Sequence, residues 1–264
     1  MNVIFLGQGK LSFDCLNTLL SNGFSDDYHL KCIVTSKKFF RNFLENYRSE
    51  EHITFISNSS RNEDLIIEII EKLEIEVLIS VQHRWVLTEK VLSKINGNAF
   101  NLHNAKLPEF KGYNSISHAI YSNASKYFVT IHKIEPEVDS GSIVAESEFE
   151  ISSDETALSL YKKTIPVAKL LFEKFLSLLS DNSLELTLHS GQGTFYSKGS
   201  LDDLRLLKLS DREETLCRKV RAVYFPPYEP AYFLLNDKKI YCLPDNLSSN
   251  LWLSQAPLNK SKFD

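Results

Sequence analysis

Asn101 and His103 alternate at the end of an apolar run, Phe100-Asn101-Leu102-His103. If that run is a strand, side chains two apart project to the same face. An amide and an imidazole placed together can donate a hydrogen bond and accept a proton near neutral pH. A single histidine at a strand end is ordinarily structural. This one leads into a polar loop with Asn104, Tyr113 and Asn114, and packing does not explain so many polar groups beside a buried strand. Further on, Asp139 precedes Ser140-Gly141. Alone it reads as a turn residue, because Asp bonds its own backbone in such turns. Beside an imidazole, a carboxylate would orient the ring and favour its charged form.

A second feature is Gly7-Gln8-Gly9, between an apolar run and a helical pattern. Such a turn offers backbone N–H groups and a helix dipole to an anion; a plain strand-to-helix turn explains it equally well. Lys10 and Ser12 would suit a phosphate. Ser12 stands where a dinucleotide fingerprint needs its third glycine, and no acidic residue closes the second strand at Val34-Thr35-Ser36-Lys37, so nicotinamide binding is weakly supported.

The elements that must position these residues alternate. Strands are expected at 2–6, 30–35, 76–81, 99–103 and 128–134, with helices at 11–20, 63–73, 88–95 and 115–121. Continuous apolar strands separated by helices imply a mostly parallel sheet covered on both faces, a Rossmann-like α/β fold. Ligands bind such sheets at the carboxyl ends of the strands. A strand at 142–151 and a long helix at 156–179 follow, with Pro166 expected to kink the helix or to split it in two. Residues 189–200 read as a polar loop. A helix at 210–223 and a hairpin at 232–243, turning at Asn236-Asp237, form a small C-terminal appendage. The expected division is a catalytic domain over 1–200 and a small subdomain over 201–264, whose tail after Pro244 is expected to be loosely ordered.

Composition narrows the class. The chain has 264 residues, 43% hydrophobic and 24% charged, with a formal net charge of −4, which suits a globular protein and argues against a general nucleic-acid binder. The four cysteines are not at C-x-x-C spacing, so neither a zinc site nor a disulfide framework is expected. No signal peptide or membrane-spanning run is evident, and the expected location is the cytoplasm.

Asn-Leu-His at 101–103, Leu-Pro at 107–108, Gly112, the apolar strand at 128–131 and Val-Asp-Ser-Gly-Ser-Ile at 138–143 resemble the folate-dependent formyltransferases, over roughly residues 1 to 180. Within that group, Asn104, Gly112, Asn114 and Ser-His-Ala-Ile at 117–120, with the region 220–229, resemble the nucleotide-sugar N-formyltransferases of bacterial surface-polysaccharide pathways. Lys111 stands where Arg is common and Ser140 where Thr is common.

The resemblance implies that Asn101, His103 and Asp139 are the catalytic trio, and that formyl passes from 10-formyltetrahydrofolate to the amine of a nucleotide-linked sugar, dTDP-linked for preference. Asn101 would stabilise the developing oxyanion, His103 would take the amine proton, and Asp139 would orient His103 and face the folate. No metal is needed for these steps. The pterin would lie beside the loop 82–87, with Gln82, Trp85 and Leu87 as contacts; packing over the sheet explains Trp85 equally well.

Gly9, Lys10, Ser12, Asn104, Tyr113, Asn114, Phe225 and Tyr228 are the expected acceptor contacts. The two last surround a stiff Pro-Pro turn and could stack on the base, an interaction worth ~1–3 kcal/mol, or fill a seam within the protein. A homodimer is implied, helped by the apolar hairpin residues Tyr232, Phe233, Leu234 and Leu235. The alternatives are a formyltransferase acting on glycinamide ribotide or methionyl-tRNA, a formyltetrahydrofolate hydrolase, and, from another class, a non-catalytic nucleotide-sugar binding protein. The nucleotide, the sugar and the ring carbon bearing the amine are not readable from the chain.

Overall fold

The computed structural model describes residues 1–21, 23–47, 52–188 and 193–244. Strands and helices alternate first: β1 (Asn2–Gly7), α1 (Gly9–Leu19), β2 (His29–Thr35), α2 (Lys37–Asn46), β3 (Thr54–Ser57), α3 (Glu63–Lys72), β4 (Val77–Val81), α4 (Glu89–Leu92) with a 3-10 turn, and β5 (Ala99–His103). Then come β6 (Phe110–Gly112), α5 (Ser115–Tyr121), β7 (Lys126–Lys133), β8 (Ile143–Glu150) and the long α6 (Ala157–Ser180). β9 (Thr194–Tyr196), α7 (Asp202–Arg205), α8 (Glu213–Val223) and the hairpin β10 (Ala231–Leu235) and β11 (Lys238–Cys242) complete the described chain.

The main sheet has seven strands in the order β3-β2-β1-β4-β5-β7-β8. From β3 to β5 the pairing is parallel, and β7 runs antiparallel to β5. The inner strands are those with unbroken apolar runs. Every residue of β4 is buried, as are Val3 to Gly7 of β1, because helices cover both faces of a parallel sheet. On one face Ile4, Leu6, Cys32 and Val34 pack with Ile66, Ile69 and Ile70 of α3. The fold is therefore the expected Rossmann-like, mostly parallel α/β sheet, with a small antiparallel hairpin over residues 231–242. Among the described residues no helix is long and apolar enough to cross a membrane.

The described chain groups into two units. The first comprises Met1–Glu109, Phe128–Glu148 and Ile165–Gly193; the second comprises Phe110–Tyr127, Phe149–Thr164 and residues from 194 onward. In the second, Leu201, Leu204, Leu207, Val223 and Ala231 form a core of their own. Its hairpin turns at Asn236 (φ 48°) and Asp237 (φ 60°), the pair of left-handed residues that a two-residue type I′ turn needs.

Three expectations change. Pro166 does not divide the helix, which runs unbroken over Ala157–Ser180. Burial of Leu160, Ala168, Leu171, Phe172, Phe175 and Leu176 outweighs the ~3 kcal/mol cost of an interior proline. Within the expected loop at 189–200, residues 194–196 form a strand on β6; three residues are too few to show a period. Residues 189–192 and the tail beyond 244 lie outside the described residues. Finally, α2 and β3 were not legible as elements. β3 is a short edge strand with one buried residue, Ile56, so its alternation is faint.

Candidate active site

β5 delivers Asn101 and His103 to the same end of the sheet. The antiparallel register with β7 sets Asn101 opposite His132 and His103 opposite Thr130. After β7 the chain loops back into β8, and two contacts pin the loop. Lys133 N–H donates to the Ser142 carbonyl at 2.9 Å and Ile134 N–H to the Ala99 carbonyl at 2.8 Å. Gly141 lies so close to β7 that a Cβ there would sit 2.0 Å from the Lys133 carbonyl oxygen; a side chain would push the loop away. Asp139 occupies this loop in the left-handed region, φ 52°.

The result is a compact polar cluster. Asp139 Oδ2 faces His103 Nδ1 at 3.6 Å, and Oδ1 faces His132 Nε2 at 3.4 Å. The side chains of His103, Asp139 and His132 are 10%, 9% and 3% exposed, so their mutual interactions are little screened by water. Asn101 Nδ2 lies 3.2 Å from His132 Nε2, and His132 Nδ1 lies 2.7 Å from the Lys133 carbonyl. A carbonyl only accepts, so Nδ1 carries a proton and, in a neutral ring, Nε2 accepts from the Asn101 amide. The imidazole planes of His103 and His132 are nearly perpendicular, 82° apart. Sequence reasoning brought out Asn101, His103 and Asp139 and missed His132. The available signal was its place in the alternating strand 128–134, but only the antiparallel register sets it opposite Asn101.

The loop 82–87 leaves β4, whose Ser80 and Val81 pair with Asn101 and Leu102, so it emerges from the sheet beside the cluster. Gln82 has φ 54°, and its amide oxygen lies 3.0 Å from where a Cβ on Gly9 would be. Trp85 packs on the main core and meets His83 edge-on at 5.0 Å, while Leu87 is itself core, 3% exposed. His83 Nδ1 accepts from Trp85 N–H at 3.3 Å. Burial, and then the charge of Arg84, push the His83 pKa from 6.5 down to about 4.

The remaining expected contacts belong to both units. At the Gly7 turn, Lys10 is exposed and paired with Asp14 at 2.6 Å. Ser12 is fully buried, its hydroxyl filling the space a Gly7 side chain would need, so it is tucked behind the turn and not presented to a phosphate. Asn104 is half-buried directly after His103. In the second unit Tyr113 is exposed, whereas the Asn114 amide donates to Ser197 O, Lys198 O and Ser200 Oγ. Phe225 lies between Tyr161 and Tyr228, at ring distances of 5.4 and 5.9 Å, and Tyr228 is 56% exposed.

A buried amide, imidazole and carboxylate can stabilise an oxyanion while a proton is removed from a nucleophile, which is what acyl transfer to an amine requires. Comparison with known proteins agrees. The formyl transferase family profile matches residues 1–174. Methionyl-tRNA formyltransferase of Thermotoga maritima is 24% identical over 230 residues, 84% of this chain and 72% of that protein. A 4-N formyltransferase from Francisella tularensis shares the fold with a TM-score of 0.76 at 17% identity, covering 93% of this chain and 98% of that one. A sugar N-formyltransferase from a Shewanella species gives 0.75 at 18% identity, over 92% and 96%. The N-formyltransferase of Helicobacter canadensis, solved with folinic acid and dTDP-3-aminofucose, gives 0.72 at 21% identity, over 90% and 85%. With this buried cluster at the end of β5 and the family match running through most of the sheet, the chain belongs to the formyl transferase family and is a formyltransferase.

Proposed function

We propose that the protein formylates the amino group of a nucleotide-linked deoxysugar, dTDP-linked for preference, using 10-formyltetrahydrofolate as donor. The observation that carries this reading is the buried Asn101–His132–Asp139–His103 cluster. It is supported by structural neighbours whose ligands include folinic acid and dTDP-3-aminofucose. The donor supplies an activated formyl carbon. Asn101 offers an N–H to the oxygen as negative charge builds there. With Nδ1 turned to Asp139, the other ring nitrogen of His103 is the base that removes the amine proton. Asp139 stabilises the imidazolium so formed, and that proton is then available to the departing folate nitrogen.

The loop 82–87 suits a donor site beside the cluster. With Leu87 in the core and Trp85 packed on it, backbone groups would hold the pterin there, near Gln82. The proposed acceptor contacts are Lys10 and Asn104 in the first unit and Tyr113 and the Phe225–Tyr228 turn in the second. A homodimer is supported by Leu235 and Ile240, which are exposed on one face of the hairpin, whereas Tyr232 and Phe233 of the expected patch are partly buried. The product is suited to surface-polysaccharide synthesis, with the reaction placed in the cytoplasm.

The test is a mass-spectrometric screen of amino-sugar nucleotides with 10-formyltetrahydrofolate. A product heavier by one formyl group, formed only with an amino sugar, is the expected result. Rapid release of formate with no acceptor present would mark a hydrolase instead, and binding of both ligands without turnover would mark a sensor.

A further inference from the structure

Residues 193–200 run along the segment that joins β5 to α5. Gly193 lies against Pro108 so closely that a Cβ would come 1.5 Å from the Pro108 carbonyl oxygen. Within the second unit, β9 pairs with β6 in parallel, Gly112 opposite Tyr196. Gly112 has φ 82°, and a Cβ there would come 2.5 Å from the Tyr196 carbonyl oxygen, so glycine is required twice over at that position. The Tyr113 N–H donates to the same carbonyl at 2.9 Å. Asn114 spends its amide on Ser197, Lys198 and Ser200.

The contacts end at His118 of α5. Its Nε2 is 2.8 Å from Ser200 Oγ, and its ring stacks on Tyr196 at 3.6 Å and 16°. Tyr196 in turn stacks on Phe110 at 6.2 Å and 19°. His118 is 8% exposed, and burial pushes its pKa down to about 4, so near neutral pH the ring is uncharged. A buried helix face filled only for packing would take an apolar side chain there; this imidazole instead fastens a neighbouring segment by one bond and one stack.

We propose that His118 and Ser200 form a latch that holds the 193–200 strap against β6 and thereby fixes Tyr113 for the sugar nucleotide. The inference rests on the acceptor reading above, in which Tyr113 meets the substrate. Asn114, next to it, serves the strap with its amide. Tyr113 is exposed, while its backbone is tied to Tyr196, so the strap decides where its ring can go. Such preorganisation strengthens binding by lowering the ordering cost. Losing it raises KM for the acceptor and leaves the chemical step alone. His118 and Ser200 are positioning residues in this scheme, acting through Tyr113.

The test uses the whole chain. His118→Ala risks misfolding at a buried site, so Ser200→Ala is the primary variant and His118→Gln, which retains a polar group, the conservative one. Hydrogen exchange at the Tyr113 amide is measured alongside steady-state kinetics. Ser200→Ala is expected to exchange faster at Tyr113 and to raise acceptor KM about tenfold, with kcat and the formyl-donor KM within about twofold. His118→Gln is expected to show smaller changes of the same kind. Unchanged exchange at Tyr113 in Ser200→Ala would overturn the latch. Faster exchange with unchanged acceptor KM would reduce it to a structural tie and overturn the positioning role. If the unaltered protein formylates no amino-sugar nucleotide, the acceptor reading fails, and exchange at Tyr113 decides the latch by itself.

Discussion

An Asn side chain carries two N–H bonds, and with the His132 ring neutral Asn101 commits one of them to Nε2 at 3.2 Å. The second is then held in direction and can be offered to an oxyanion. Asn101→Ala is expected to lower kcat by ~10²–10³. His132→Ala, which leaves the amide in place but loose, is expected to lower kcat by about tenfold or more with acceptor KM little changed. His103→Ala and Asp139→Ala are expected to lose most turnover while sugar-nucleotide affinity, read by calorimetry, survives. Near wild-type turnover in His103→Ala at saturating substrates would remove the base from the scheme. Two other histidines carry a pH signature. His83 and His118 each titrate near pH 4 in the folded protein, against 6.5 ordinarily, both chiefly because of burial. Between those values the unfolded chain binds more protons than the folded one. Their contribution to stability is therefore full above about pH 6.5 and is lost as pH falls toward 4. Thermal midpoints should fall across that window, and His83→Gln should flatten the fall.

At the scale of elements, the β7–β8 connection decides where Asp139 stands. It is pinned by backbone bonds at its two ends and by the close approach of Gly141 to the Lys133 carbonyl. Gly141→Ala places a methyl group where backbone already lies, so the loop must move. The expected cost is about 1–3 kcal/mol of stability, together with a fall in kcat, because Asp139 loses its distances to both imidazoles. A stability loss measured by denaturant with kcat intact would show that Asp139 does not depend on that approach. The turn at 225–228 is the other decisive element. Phe225 makes tilted ring contacts with Tyr161 and Tyr228, and Tyr228 is exposed, so in the proposed acceptor reading Tyr228 is the ring that meets the base. Tyr228→Ala should weaken sugar-nucleotide binding by ~1–3 kcal/mol in calorimetry. Unchanged affinity in a folded variant would leave the turn as packing.

For the molecule as a whole, the hairpin is the surface to test. Leu235 and Ile240 are exposed on strands held together by five cross-strand pairs. Light scattering should give twice the chain's mass, and Leu235→Lys with Ile240→Lys should return it to the monomer with the fold intact. A wild-type monomer at micromolar concentration would reject the dimer.

The alternation of apolar strands with helices, Asn101 and His103 on one strand, and the Asn236-Asp237 turn were all readable from local pattern, since each depends on a period or a short turn chemistry. Locality has limits. His132 joins the cluster through an antiparallel register that no local period specifies. Ser12 has the type and place of a phosphate ligand in the chain, but its hydroxyl fills the space beside Gly7. Asn114 was legible as polar, but its partners at 197–200 lie far along the chain. The inner strands of the sheet, the family resemblance and the identities of Asn101, His103 and Asp139 could be read from the chain, because they follow from nearest-neighbour patterning and short motifs. Tertiary structure alone decided which polar atoms meet, because hydrogen-bond distances are set by strand register and by backbone approach at Gly112, Gly141 and Gly193.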